Sequence, residues 1–81
     1  MGNFSDYVND VLDSEPHGEV VHTEYGTNKE GKRFAVVITH VVWYAVRLII
    51  EGKGNVTMTS QHLTLGGAKT AAIRVVRDLE D

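Results

Sequence analysis

The chain predicts an α+β domain: a three- to four-stranded antiparallel meander sheet with an N-terminal and a C-terminal helix, in the order α-β-β-β(-β)-α. Three observations carry this expectation. Apolar residues recur with a helical period near both termini. The middle of the chain is dominated by β-branched residues. A tight-turn stretch, Gly52-Lys53-Gly54-Asn55, separates two runs with strand-like alternation.

From Asn3 to Asp13 the apolar residues Phe4, Tyr7, Val8, Val11 and Leu12 fall on one helical face, and Asp6, Asp10 and Asp13 fall on the opposite one. Asn3 suits the N-cap, and Asp6 places a carboxylate at the positive helix end. Pro16 stops the helix. Glu19 to Tyr25 reads as a strand. The turn-rich stretch Gly26 to Gly31 follows, and Lys32 to Thr39 returns as the second strand of a hairpin. Trp43 to Glu51 and Val56 to Gln61 form the next pair around the glycine turn. Trp43, Ala45, Arg47 and Ile49 share one face of their strand; Tyr44, Val46, Leu48 and Ile50 share the other. Both faces are largely apolar, so this is a central strand covered twice. One face would take the helices and the other a partner. Thr39-His40-Val41-Val42 contains no turn former, which leaves open a single bulged strand from Lys32 to Glu51.

Near the C-terminus Ala68, Ala72, Val75, Val76 and Leu79 form a helical stripe with Ala71 beside it, and Thr70, Arg74 and Arg77 lie across from them. Thr64 suits the cap, and Gly66-Gly67 would let the chain turn from strand to helix. The expected organisation is one domain over 1–81: an acidic amphipathic helix at 1–15, the sheet at 19–61 and the last helix at 66–80.

The chain has 81 residues, 42% hydrophobic and 23% charged, with no cysteine. Wholesale disorder does not fit this balance. Disulfides, thiolate metal sites and a cysteine nucleophile are excluded. A core of this size gains from a partner surface. The apolar run Phe34–Ile50 falls short of the about 20 residues that a spanning helix needs, and it contains His40 and Arg47. No membrane association is expected. The N-terminal residues lack the pattern of a secretory signal, so the cytoplasm is the expected location.

Charge is divided along the chain more sharply than the net of −3 suggests. Residues 1–28 carry Asp6, Asp10, Asp13, Glu15, Glu19 and Glu24 and no Lys or Arg. Residues 29–77 carry every Lys and Arg against only Glu30 and Glu51. Asp78, Glu80 and Asp81 close the chain. Either the acidic helix pairs with its own basic sheet, or one of the two meets an oppositely charged partner. Arg33, Trp43, Arg47, Lys53, Lys69, Arg74 and Arg77 are the candidate interaction residues on the basic side, and Asp6, Asp10 and Asp13 form the acidic face.

Motifs for chemistry are weak. His17, His22, His40 and His62 match no metal-ligand spacing, although His22, His40 and Glu24 could meet across a hairpin. Ser60 and His62 share a strand face with no acid placed to orient the imidazole. Gly66-Gly67 belongs to no phosphate-binding motif. No catalytic residue, metal, cofactor or small-molecule substrate is expected.

The segments Trp43-Tyr44-Ala45-Val46-Arg47-Leu48, Gly54-Asn55, Thr59-Ser60-Gln61 and Ala72-Ile73 with Val76 resemble the YegP-type family of small bacterial and archaeal proteins. The likeness covers Phe34 to Arg77. It departs in a Gly-Asn turn where the family has Asn-Gly, in Leu63 where an aromatic follows the serine, and in the missing polar turn before Trp43. It implies a ββ(β)α unit that pairs with a second copy, and no activity. The α-β-β-β-α order, with Ala68-Lys69-Thr70-Ala71-Ala72, also resembles the double-stranded-RNA-binding domain. The sheet followed by a helix resembles the arm-type DNA-binding domain of phage integrases. Both of those are richer in lysine or arginine than this chain.

Two readings follow. The first is a non-enzymatic interaction module that works through protein–protein contacts, as a homodimer or with another protein. The alternative is a nucleic-acid-binding module using Arg33, Arg47, Lys53, Lys69, Arg74 and Arg77. A short acidic-to-basic chain of this kind suits a phage or mobile element.

Overall fold

The structure, a computed structural model, describes residues 3–81. Its elements are α1 (Phe4–Asp13), β1 (Glu19–Thr27), β2 (Arg33–His40), β3 (Tyr44–Ile50), β4 (Val56–His62) and α2 (Leu65–Glu80). The strands form one open antiparallel sheet in chain order, β1-β2-β3-β4. The fold is therefore α-β-β-β-β-α, as the periodicities predict.

Helix α1 begins where its capping chemistry dictates. The Asp6 backbone N–H donates to Asn3 Oδ1 at 3.0 Å, and the Asp6 carboxylate accepts from the Asn3 N–H at 3.4 Å. Its apolar stripe, Phe4, Val8, Val11 and Leu12, packs on Ala35, Val37 and Ile49. Helix α2 is capped by Thr64, whose Oγ1 accepts from the Gly67 N–H at 3.1 Å. Ala68 and Ala72 are fully buried, and they bring α2 close onto Phe34, Val36, Ile38 and Val46. Gly66 and Gly67 thus lie inside the first turn of α2 and not in a linker.

The two helices cover opposite faces. Phe34, Val36, Ile38 and Val46 point toward α2, whereas Ala35, Val37 and Ile49 point toward α1. This corrects the expectation that one face takes both helices. The physical reason is the alternation itself: β2 is apolar at both parities, and each face needs its own cover.

Turns separate cleanly by chemistry. Asn28 closes the β1–β2 turn, its Oδ1 accepting from the N–H groups of Glu30 (3.0 Å) and Lys32 (2.9 Å). The β3–β4 turn uses Gly52 (φ 88°) and Gly54 (φ 70°). Tyr7 of α1 fastens this turn, its hydroxyl accepting from the Gly52 N–H at 3.1 Å and the Gly54 N–H at 3.0 Å. The β2–β3 connection is a three-residue loop, Val41-Val42-Trp43, between the paired residues His40 and Tyr44. The bulged single strand is therefore not formed, and Trp43 sits in the loop just before β3. Gly26 leaves room for the Phe34 ring of β2 and the end of α2: a Cβ there would lie 2.5 Å from that ring and 3.0 Å from the Glu80 carboxylate.

Ile38 is fully buried beneath α2. Ile38→Ala should cost about 2–5 kcal/mol in urea unfolding, as a cavity in a rigid core does. A loss under about 1 kcal/mol would show that α2 does not seal this face.

Candidate interaction surface

The sheet has two unlike ends. One carries the polar turns at 28–31 and 51–55 with Lys29, Lys32 and Lys53. The other carries the Val41-Val42-Trp43 loop. Val41, Val42 and Trp43 are 70%, 76% and 49% exposed. Leu63, 75% exposed, follows His62, the residue paired with Tyr44, and so stands at this same end. Val20, opposite Thr39, is exposed near it, and Met58, opposite Arg47 at mid-strand, is exposed in the groove that opens from it. Of the large apolar residues exposed among the described residues, only Tyr25 and Ile73 lie away from this end and its groove. On the α1 face a groove of about 310 Å³ opens here, lined by Trp43, Val42, Ala45, Met58, Arg47 and His17 among others. The apolar character arises because α1 stops at Asp13, short of this corner of the sheet.

The loop also breaks local rules. Val-Val-Trp supplies no Gly, Pro, Asn or Asp, and β-branched residues at an exposed hairpin turn gain nothing locally. Sites of this kind, where local preference and the fold conflict, are where function is expected. Trp43 is among the candidates that the sequence suggests, and it is exposed. Val41, Val42, Met58 and Leu63 were not among them; the missing turn former at 39–42 was the signal that pointed to Val41 and Val42, whereas nothing local marks Met58 or Leu63.

The basic residues do not gather on one surface. Arg47 is on the α1 face, its side chain only 11% exposed. Its Nε donates to the buried Thr39 hydroxyl and a terminal nitrogen donates to Glu15, both at 3.0 Å. Arg33 lies over the Phe4 ring at 5.0 Å and forms an ion pair with Glu51. Lys69, Arg74 and Arg77 are exposed on α2, on the other side of the sheet, and Lys53 is in the β3–β4 turn. On the acidic face, Asp6 serves the cap, Asp13 lies 3.3 Å from His17, and Asp10 is exposed. The acidic first third thus meets the basic sheet through Glu15 and Arg47.

The remaining candidates are separate. His22 Nε2 is 3.8 Å from the Glu24 carboxylate, but His40 stacks on Tyr44 with ring centroids 4.2 Å apart. Among the described residues no group of three His, Asp or Glu side chains comes together. Ser60 Oγ and His62 Nε2 are 2.8 Å apart, with no carboxylate bonded to that imidazole among the described residues. Nor is any helix among the described residues long and apolar enough to cross a membrane. Comparison with protein-family models, with curated proteins and with solved structures finds no match to this chain.

Two outcomes follow from the paired arginines. Arg47→Ala strands the Thr39 hydroxyl and should cost about 1–3 kcal/mol in urea unfolding, whereas Lys53→Ala should stay within about 0.5 kcal/mol. Equal effects would show that Arg47 is not structural. At the other pair, the hydrogen bond from the Arg33 side chain, with a second from its backbone N–H, holds the Glu51 carboxyl below its usual range. That contribution is present above the unfolded-state carboxylate pKa and is lost as pH falls through the lowered folded value. Wild type should therefore exceed Glu51→Gln in urea midpoint at neutral pH, and the two should converge in acid. A constant gap across that range would remove the linkage.

Proposed function

We propose that this chain is a small non-enzymatic interaction module that acts through protein–protein contacts and self-associates through its apolar end. One observation carries the reading: the exposed Val41-Val42-Trp43 loop with Leu63 and Met58 beside it. A contiguous apolar patch on a small domain is costly to leave in water, and an aromatic residue amid aliphatic ones is the usual centre of an interface. A unit that pairs with a second copy is also what the YegP-type resemblance implies. The nucleic-acid reading needs its cations on one surface. Here Arg33 and Arg47 are paired with carboxylates on one face, while Lys69, Arg74 and Arg77 are on the other side. A cytoplasmic setting belongs to the same proposal.

Sedimentation equilibrium from micromolar to millimolar concentration tests it. The wild-type chain should form a reversible dimer, and Val42→Asp should be monomeric with an unchanged circular dichroism spectrum. A wild-type monomer throughout, together with salt-sensitive retardation of nucleic acid in gels, would favour the alternative.

A further inference from the structure

The sheet is open, and its two edge strands are guarded unequally. Strand β1 carries Glu19 and Glu24. Strand β4, Val56–His62, carries no Asp, Glu, Lys, Arg or Pro. The run without those four charged types extends past the strand, from Gly54 to Ala68, between Lys53 and Lys69. Thr57, Met58, Thr59 and Gln61 are all exposed. Edge strands are ordinarily kept from pairing with another chain by lysine, proline, an inward charge or a bulge. Of these devices β4 has only the bulge.

That bulge does not spoil the edge; it makes the edge self-complementary. Met58 and Gln61 are three residues apart, yet their β3 partners, Arg47 and Ala45, are two apart, because Thr59 is the extra residue. Met58 and Gln61 therefore share one face of the sheet and one hydrogen-bonding phase. Thr57 and His62, opposite Leu48 and Tyr44, are matched in the same way on the other face. Two copies of β4 laid antiparallel, Met58 against Gln61 and Thr57 against His62, agree in side-chain face and in backbone phase at every one of these pairs.

On this basis we infer that β4 pairs antiparallel with β4 of a second copy, across a two-fold axis perpendicular to the sheet, to form one continuous sheet. This rests on the self-association reading and names the strand through which it works. Main-chain hydrogen bonds supply the attraction, and the adjoining groove supplies the side-chain contact. Met58 and Gln61 both line that groove with Val42 and Trp43. The partner's Met58, opposite Gln61, stands at its mouth. The same register carries the exposed Leu63 toward the partner's Val56. No like charges meet along this seam, whereas β1 paired with itself would set Glu19 and Glu24 of two copies on one seam. The axis also leaves both α1 helices on one face and both α2 helices on the other, so neither cover has to move.

The chain has no cysteine, so introduced ones report the register. Met58→Cys and Gln61→Cys chains, mixed and oxidised with glutathione disulfide, should form a disulfide-linked dimer in high yield. Either chain alone should link far less, because its cysteines lie diagonally across the seam, beyond the about 7 Å that a disulfide spans. Both positions are exposed, so charge can be placed there without touching the core. In sedimentation equilibrium Met58→Lys/Gln61→Lys sets like charges opposite one another twice and should weaken dimerisation about tenfold, whereas Met58→Lys/Gln61→Glu should stay within about threefold of wild type. Circular dichroism of each variant would confirm the fold. If wild type and Val42→Asp behave as expected but the mixed cysteines do not link and the two double variants bind alike, the strand pairing is wrong and the apolar-end reading stands. A wild-type monomer at every concentration removes both and leaves the edge to an unrelated extended segment.

Discussion

The rest of the structure depends on β2 being buried on both sides. Phe34 through Ile38 are all fully buried, at both parities of the strand. A strand of this kind cannot be an edge, and it cannot lie against solvent on either face. It requires a paired strand on each side, which β1 and β3 supply, and a cover on each face, which α1 and α2 supply. The three-layer arrangement is the way so short a chain meets all four demands.

The covers are of unequal quality. Helix α2 is the longer, and its buried alanines let it lie low across all four strands. Helix α1 is shorter and uses large residues, with Tyr7 tied to the β3–β4 turn as well as to the core. Where α1 ends, the α1 face is finished by the Arg47 side chain, bonded to Thr39 and Glu15 and laid across the strands. A charged residue on an apolar strand thus serves as a lid for the sheet as much as a surface charge. Beyond it none of the described residues covers the corner, and the groove beside Trp43 is the consequence.

Polarity along the strands follows from the same geometry. The Asn28 and Gly52–Gly54 turns are built from residues that solvate well and accept the required backbone. The Val41-Val42-Trp43 loop is built from residues that do neither. It closes because β2 and β3 are held in register along their whole length, so pairing in the sheet overrides local preference. The domain therefore has one wet end and one greasy end.

Much was legible in the chain because it rests on local periodicity. The stripe Phe4, Tyr7, Val8, Val11 and Leu12, the caps Asn3 and Thr64, and the glycine turn at 52–54 each declare themselves within a few residues. Strand alternation likewise announced two apolar faces around Arg47, and Trp43 stood out as a candidate. Other features needed the third dimension. That α1 and α2 take opposite faces, that Arg47 turns inward to Thr39 and Glu15, and that Val20, Val41, Val42 and Leu63 stand at one end all depend on residues far apart in the chain. Periodicity specifies which side of an element is apolar. Only the packing of elements against one another decides which apolar surface is hidden and which is left bare.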